Sequence, residues 1–319
     1  MELQTIVQIG KPDFRLDYAS RILMAGSCFV ENIGEKLKYF RFKVDVNPCG
    51  VVYNPLSVAG TLELLLERRR FVETDLWHRE GLWGSFLHHG SFSSPTAEEC
   101  LQKINGRVVD SSRRLAATDL LILTWGTAWV YRHRETGIVV SNCHKFPASD
   151  FERQRLEVEE IVERYAALFS RLWALRPGLK VLVTVSPIRH WKDGAHGNQL
   201  SKAVLLLAAD RLASRFDNVS YFPSYEIVMD ELRDYRFYAK DMLHVSEQGV
   251  DYIWERFRDL YFSAETLAVM REVDKRNKIL NHRPACPDSE ATLRMRSRAQ
   301  EELEAIIREA TEGKCCRGH

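Results

Sequence analysis

No stretch of the chain reaches the ~18 consecutive apolar residues that a membrane-spanning helix needs. Charge of one sign is also missing: the 319 residues sum to a formal +1, which gives no pull toward nucleic acid or an anionic membrane. The short basic runs Arg68-Arg69-Arg70 and Arg294-Met295-Arg296-Ser297-Arg298 sit beside acidic residues and read as solvated helix faces. Met1-Glu2-Leu3-Gln4 lacks the basic start of a secretory leader, and Gln8 to Asp17 interrupts any apolar run. Cysteine is present, but its pairing patterns are not. The seven cysteines have no regular spacing and no Cys-x-x-Cys, so reduced thiols in the cytoplasm are expected. Cys143-His144 alone makes a poor zinc site, Cys315-Cys316 lie in a polar terminus, and no structural metal is expected. Internal repeats and low-complexity segments are absent.

What is there fits a globular core. An apolar fraction of 45% over this length suits one large α/β domain with trimmings or two small ones. Five short apolar runs read as buried parallel strands: Ile22–Ala25, Val44–Val46, Leu120–Thr124, Val181–Val185 and Val219–Phe222. Helical patterns alternate with them at Val30–Phe40, Leu56–Arg70, Ala97–Val109, Leu156–Leu175 and Ser201–Arg215, followed by Val250–Leu260 with Ser246 as its N-cap. Such alternation predicts a doubly wound parallel sheet covered on both faces. Two regions break the rhythm. Phe71–Pro95 is rich in aromatics and His (Trp77, His78, Trp83, Phe86, His88, His89, Phe92) and reads as a hairpin or irregular excursion, either a packed loop or a wall of the site. Beyond Asn281, the break His282-Arg283-Pro284-Ala285-Cys286-Pro287 precedes a charged helix from Ser289 to about Ala310. That tail is expected to pack loosely or to mediate self-association, so residues 1–280 form the main domain and 281–319 a polar helical tail.

Two short pieces carry chemistry. Arg21-Ile22-Leu23-Met24-Ala25 ends in Gly26-Ser27-Cys28-Phe29, a strand breaking at a glycine into a helix. This lifts Ser27 and Cys28 to the carboxyl edge of the sheet, where open α/β folds bind ligands. A helix N-terminus there favours a thiolate or a developing oxyanion. Near the other end stands Asp241-Met242-Leu243-His244, in which the Asp can orient an imidazole acting as general base. Together they suggest a nucleophile–His–Asp acyl-transfer site.

Gly26-Ser27-Cys28-Phe29-Val30-Glu31-Asn32-Ile33-Gly34 resembles the opening signature of the GSCFA family, a bacterial group placed among the SGNH/GDSL hydrolases. The resemblance continues through Asn47-Pro48-Cys49-Gly50-Val51-Val52-Tyr53-Asn54-Pro55, Thr124 to Tyr131, Asn142-Cys143-His144-Lys145 and Ser186-Pro187-Ile188-Arg189-His190. Asn198, Ser201-Lys202, Tyr225-Glu226 and Asp241 through Gln248 complete it, in consistent order. Val30 stands where the family usually has Ala, and Val245 where it usually has Pro. The broader hydrolases carry Gly-x-Asn-Asp after the third strand, whose Asn donates to the oxyanion; here Gly126-Thr127-Ala128-Trp129 offers no amide.

The resemblance implies a flavodoxin-like three-layer α/β/α sandwich of the SGNH-hydrolase type, with a five-stranded parallel sheet in the order 2-1-3-4-5. It implies an acyl-ester hydrolase or acyltransferase acting through a covalent acyl-enzyme on an O-acylated substrate, a small molecule or a carbohydrate. No metal or organic cofactor is required, and neither nucleic acid nor membrane is expected as a partner. Laying the motif on Gly-Asp-Ser-Leu without a gap puts Cys28 at the nucleophile position, and sliding by one restores Ser27; both stay open. His244 would be the base and Asp241 its orienting carboxylate. Gly50, expected to turn its N–H into the cleft, would help to hold the oxyanion, with Thr127, Asn142 or His144 as further donors. Ser186, Arg189 and His190 follow the fourth strand onto the same edge. Arg189 could hold a substrate carboxylate or phosphate, or brace Glu226 or Asp241. His88, His89 and Trp83 would wall the pocket. The alternative of another class is a catalytically silent protein that keeps the cleft to bind a glycan or acyl ligand.

Overall fold

The structure, a computed structural model, describes residues 4–283 and 289–313. Along the chain run β1 (Arg21–Gly26), α1 (Cys28–Tyr39), β2 (Lys43–Val46) and α2 (Pro55–Glu67), then a small hairpin of β3 (Trp77–Arg79) and β4 (Leu82–Gly84). α3 (Ala97–Ala116) leads to β5 (Leu120–Trp125), followed by β6 (Trp129–His133), β7 (Val139–Val140) and β8 (Phe151–Arg155). Next come α4 (Val158–Leu175), β9 (Lys180–Val185), α5 (Gly194–Arg215), β10 (Val219–Phe222) and the short α6 (Ser224–Glu226). α7 (Glu247–Tyr261), α8 (Ala264–Asn281) and α9 (Glu290–Glu312) close the chain.

The central sheet has the order β10-β9-β5-β1-β2 with every pair parallel, so the five expected strands lie in the expected 2-1-3-4-5 sequence. Period-2 alternation divides its side chains between two cores. Leu23, Ala25, Leu121, Leu123, Trp125, Val181, Val183 and Val185 pack against α2, α3, α4 and α5. Ile22, Met24, Leu120, Ile122, Leu182 and Phe222 pack against α1, α7, α8 and α9. Both faces are buried, which is why the strands read as unbroken apolar runs. The sandwich is therefore three-layered, as expected.

Three features depart from the sequence reading. β6, β7 and β8 form a separate antiparallel sheet that no pattern announced. α8 was not foreseen. The tail helix does not lie loosely: α9 buries Ala299 and Leu303, and Leu303 joins the core of α1 and α7. Its 290–312 span matches the expected helix, while the preceding Pro284-Ala285-Cys286-Pro287 break and Cys315-Cys316 fall outside the described residues. Among the described residues no helix is long and apolar enough to cross a membrane.

Candidate active site

At the carboxyl end of β1 the backbone turns in a way only glycine tolerates. Gly26 has φ +150°, and a Cβ there would lie 2.2 Å from Thr124 O. Its N–H donates to Asn47 Oδ1 (2.9 Å), and its carbonyl accepts from Val52 N–H (3.0 Å), so the loop after β2 clamps the turn. Ser27 is the N-cap of α1 but its side chain caps nothing. Its Oγ is buried without a partner among the described residues. Cys28 opens the helix, half-buried, with its thiol facing the N–H groups of Cys28 and Phe29. Burial nevertheless pushes that thiol above its ordinary pKa, aided by Glu31, against the pull of those N–H groups and of Lys202. The expected resting thiolate is thus not favoured: desolvation outweighs the helix terminus.

His244 and Asp241 sit in the loop before α7. Asp241 accepts backbone N–H bonds from Leu243 and His244 (both 3.0 Å) and a 2.6 Å bond from His244 Nδ1. Met242 at φ +60° closes this tight turn. Those bonds, the backbone ones first, hold the Asp241 carboxyl down at about 2, so it is ionised at neutral pH. The bond fixes the imidazole with Nδ1 as donor and leaves Nε2 for the cavity that His244 lines. Val245 packs on Gly249, and Ser246 caps α7 through Gly249 N–H as anticipated.

One cavity of about 410 Å³ collects Ser27, Cys28, Thr127, Asn142, Ser186, Arg189, His190 and His244. No hydrogen bond joins His244 to Ser27 or Cys28 among the described residues. Apo nucleophile–base contacts are commonly loose. The other walls were not foreseen as such: Tyr53 and Asn54 before α2, Trp129, Tyr131 and Val140 from the antiparallel sheet, and Ser141 and Cys143 from the loop after β7. The alternation Trp129-Val130-Tyr131 was the available signal, broken too soon by Gly137 to stand out.

Several expected donors have other work. Gly50 gives its N–H to Asn47 O (2.8 Å), closing the turn after β2, and its Cα faces His89, away from the cavity. Thr127 Oγ1 is engaged by Ser201 Oγ (3.1 Å) and by Trp129 N–H (3.1 Å). His144 lies against the carbonyls of Ser85 (2.9 Å) and His88 (3.1 Å) and packs at a tilt on Trp77, off the cavity wall. His89 pairs with Ser91, while His88 is buried beside Phe71 and Phe92. No residue of 71–95, Trp83 included, lines the cavity, so this excursion is a packed brace and not a wall. It supports the wall from behind, where Phe86 O receives the N–H groups of Ser141 (2.8 Å) and Asn142 (3.4 Å). Asn142 remains: its Oδ1 accepts His144 N–H (2.7 Å), and its amide nitrogen, on the cavity wall, bonds to no described residue. Ser186 is fully buried, with Oγ receiving Ile188 N–H (3.3 Å).

Beneath the floor lies Lys202, fully buried, its ammonium donating to Gly126 O (2.7 Å) and Ser186 O (2.6 Å). No carboxylate pairs with it among the described residues. Burial, then the nearby Arg189, lowers its pKa to about 7, while Cys28 favours the charged form. His190 is likewise lowered to about 4, by burial and then Lys202, so it is neutral at pH 7. Its Nε2 lies 3.1 Å from where a Cβ on Gly126 would stand, which explains glycine at that position. Lys202 was legible only within the family motif. A physical sign existed, since 202 shares a helix stripe with the buried Leu205, Ala209 and Leu212.

The fold is a doubly wound parallel α/β sandwich, and Ser27, Cys28 and His244 line one cavity, with Asp241 bonded to His244 behind it. The GSCFA family pattern matches residues 21–257, and the chain belongs to the GSCFA family. Among curated proteins none matches the sequence. Among solved structures it is similar to a carbohydrate esterase family 3 protein from Talaromyces cellulolyticus (9% identity, TM-score 0.36), covering 79% of this chain and 99% of that one. It is also similar to a Clostridium thermocellum family 3 carbohydrate esterase (10%, TM-score 0.37), over 79% of this chain and 97% of that one. An acetyl xylan esterase from the rumen bacterium Butyrivibrio proteoclasticus matches at 9% and TM-score 0.39, over 76% and 63%.

Proposed function

We propose that the protein is an acyl-ester hydrolase or acyltransferase that works through a covalent acyl-enzyme on an O-acylated carbohydrate. The observation that carries this reading is one cavity walled by both Cys28 and His244, whose Nδ1 is bonded to an ionised Asp241. Cys28 is favoured over Ser27 as nucleophile because Ser27 Oγ is buried. With a protonated resting thiol, His244 Nε2 acts as general base: it takes the proton as Sγ bonds to the ester carbonyl carbon. The tetrahedral oxyanion is met by the N–H groups at the start of α1 and by the Asn142 amide, each such donor being worth ~3 kcal/mol of barrier. His244 then returns the proton to the departing alcohol as the C–O bond breaks, leaving a thioester. Water or an acceptor hydroxyl, deprotonated by the same ring, resolves it. Asp241 holds the imidazole and offsets its transient charge.

The test is a screen of p-nitrophenyl acyl esters with and without sugar acceptors, together with iodoacetamide and fluorophosphonate labelling. Acyl release that disappears in Cys28→Ser and His244→Ala supports the reading. A second reading, a silent glycan- or acyl-binding protein, draws on the engaged Thr127 hydroxyl and the raised Cys28 thiol. It gains if neither reagent labels residues 27 or 28 and no ester turns over.

A further inference from the structure

We propose that the substrate is an acidic sugar ester of the uronate class, its carboxylate gripped by Arg189; this rests on the carbohydrate-ester reading above. Arg189 stands where two cavities meet, the catalytic one and a neighbour of about 600 Å³ on the far side of the Asp241–His244 loop. Its two expected braces are both otherwise engaged. Glu226 is bonded by Tyr221 OH (2.8 and 3.0 Å), and Asp241 by His244. No carboxylate pairs with Arg189 among the described residues, and its Nε is buried without a partner.

The surroundings select for negative charge. No Asp or Glu lines the catalytic cavity, while Arg189 lines it and Lys202 lies under it. In the second cavity Asp234 pairs with Arg236 (2.8 Å) and Arg233 with Asp230 (3.1 Å), while the ionised Asp241 is held by two backbone N–H groups and by His244 Nδ1. A buried guanidinium edge without a partner is costly, and its planar fork matches a carboxylate. One free fork suits a monoanion better than a phosphate dianion. Beyond it, Trp191 (its ring centre 5.3 Å from the guanidinium), Tyr235 and Met242 present exposed apolar faces on which sugar C–H groups can lie. An oligosaccharide could thus reach from the ester at Cys28 past Arg189 onto this shelf.

Calorimetry should compare oligogalacturonate with xylo-oligosaccharide of equal length at fixed ionic strength. Acetate release should be followed in parallel from the acetylated form of each. Wild type is expected to favour the uronate in both readouts. Arg189→Met should shrink that preference by about 10- to 100-fold, with Arg189→Lys in between, as for loss of one charge-assisted contact. Equal binding of the two sugars, binding of neither, or a preference untouched in Arg189→Met overturns the inference. Acetate released equally well from both would also overturn it, and leave the hydrolase reading standing. Uronate binding that depends on Arg189, with no acyl release from either sugar or from the p-nitrophenyl esters, would keep the carboxylate grip and sink the hydrolase reading.

Discussion

Cys28 and Lys202 each favour the other's charged form, against the burial that opposes both. A buried ammonium bonded only to two carbonyls lacks a counter-anion, and a thiolate 28 or an oxyanion beside it would supply one. Removing the ammonium with Lys202→Met should therefore raise the pH midpoint of Cys28 alkylation by iodoacetamide. An unmoved midpoint would mean that the lysine serves packing alone. Folding stability gives an independent readout. Because the folded pKa of about 7 lies below the unfolded 10.5, the unfolded chain binds more protons between those values. The cost of burying Lys202 is thus fully present below pH 7 and fades as pH rises toward 10.5. Urea denaturation should show wild type gaining on Lys202→Met across that window. The carbonyls left without a donor add a cost that does not vary with pH, so the slope is diagnostic and the offset is not. A flat difference would contradict the lowered pKa.

At the scale of elements, the β1–α1 turn depends on one residue more than any other. Gly26→Ala would bring a methyl group against Thr124 O at a φ that L residues avoid. A loss of about 3 kcal/mol or more is expected, with Cys28 alkylating like a free thiol; native stability with native labelling would refute the clamp. That turn was legible because an apolar run ending in glycine before a helix has few readings. The five strands were legible for a similar reason, being buried on both faces. The antiparallel wall was not: β7 is two residues long, and turns at Gly137 and Pro147 cut the alternation before it accumulates. Gly50 illustrates another limit. A glycine after Asn-Pro signals a turn, but where its N–H goes is decided by the carbonyl it meets, here that of Asn47. The Asp241–His244 pairing could be read from spacing since i−3 contacts are local; that no carboxylate among the described residues meets Arg189 is a tertiary fact that spacing does not encode.

Over the whole molecule, the sheet's two faces tie distant parts of the chain into shared cores. The sequence boundary near residue 281 suggested a domain and a separable tail, because α9 is densely charged and only weakly amphipathic. Its few apolar contacts are nonetheless well placed: Leu303 is 2% exposed and packs in the core that holds α1, the helix carrying Cys28. Arg276 pairs with Glu302 (3.3 Å), fastening α9 to α8, and Tyr39 OH bonds Asp274 (2.8 Å), fastening α8 to α1. Leu303→Ala should cost about 2–5 kcal/mol, the usual range for emptying a buried leucine site. Since that core spans the sheet face, the loss should come from global unfolding and not from fraying of one helix. Far-UV circular dichroism reports α8 and α9, whereas six of the seven tryptophans lie at or before residue 191 and only Trp254 shares the core that α8 and α9 enter. The two signals should lose their structure at one urea midpoint in wild type and shift together in Leu303→Ala. A first helical transition that keeps most of the tryptophan signal would show the tail to be an independent unit after all.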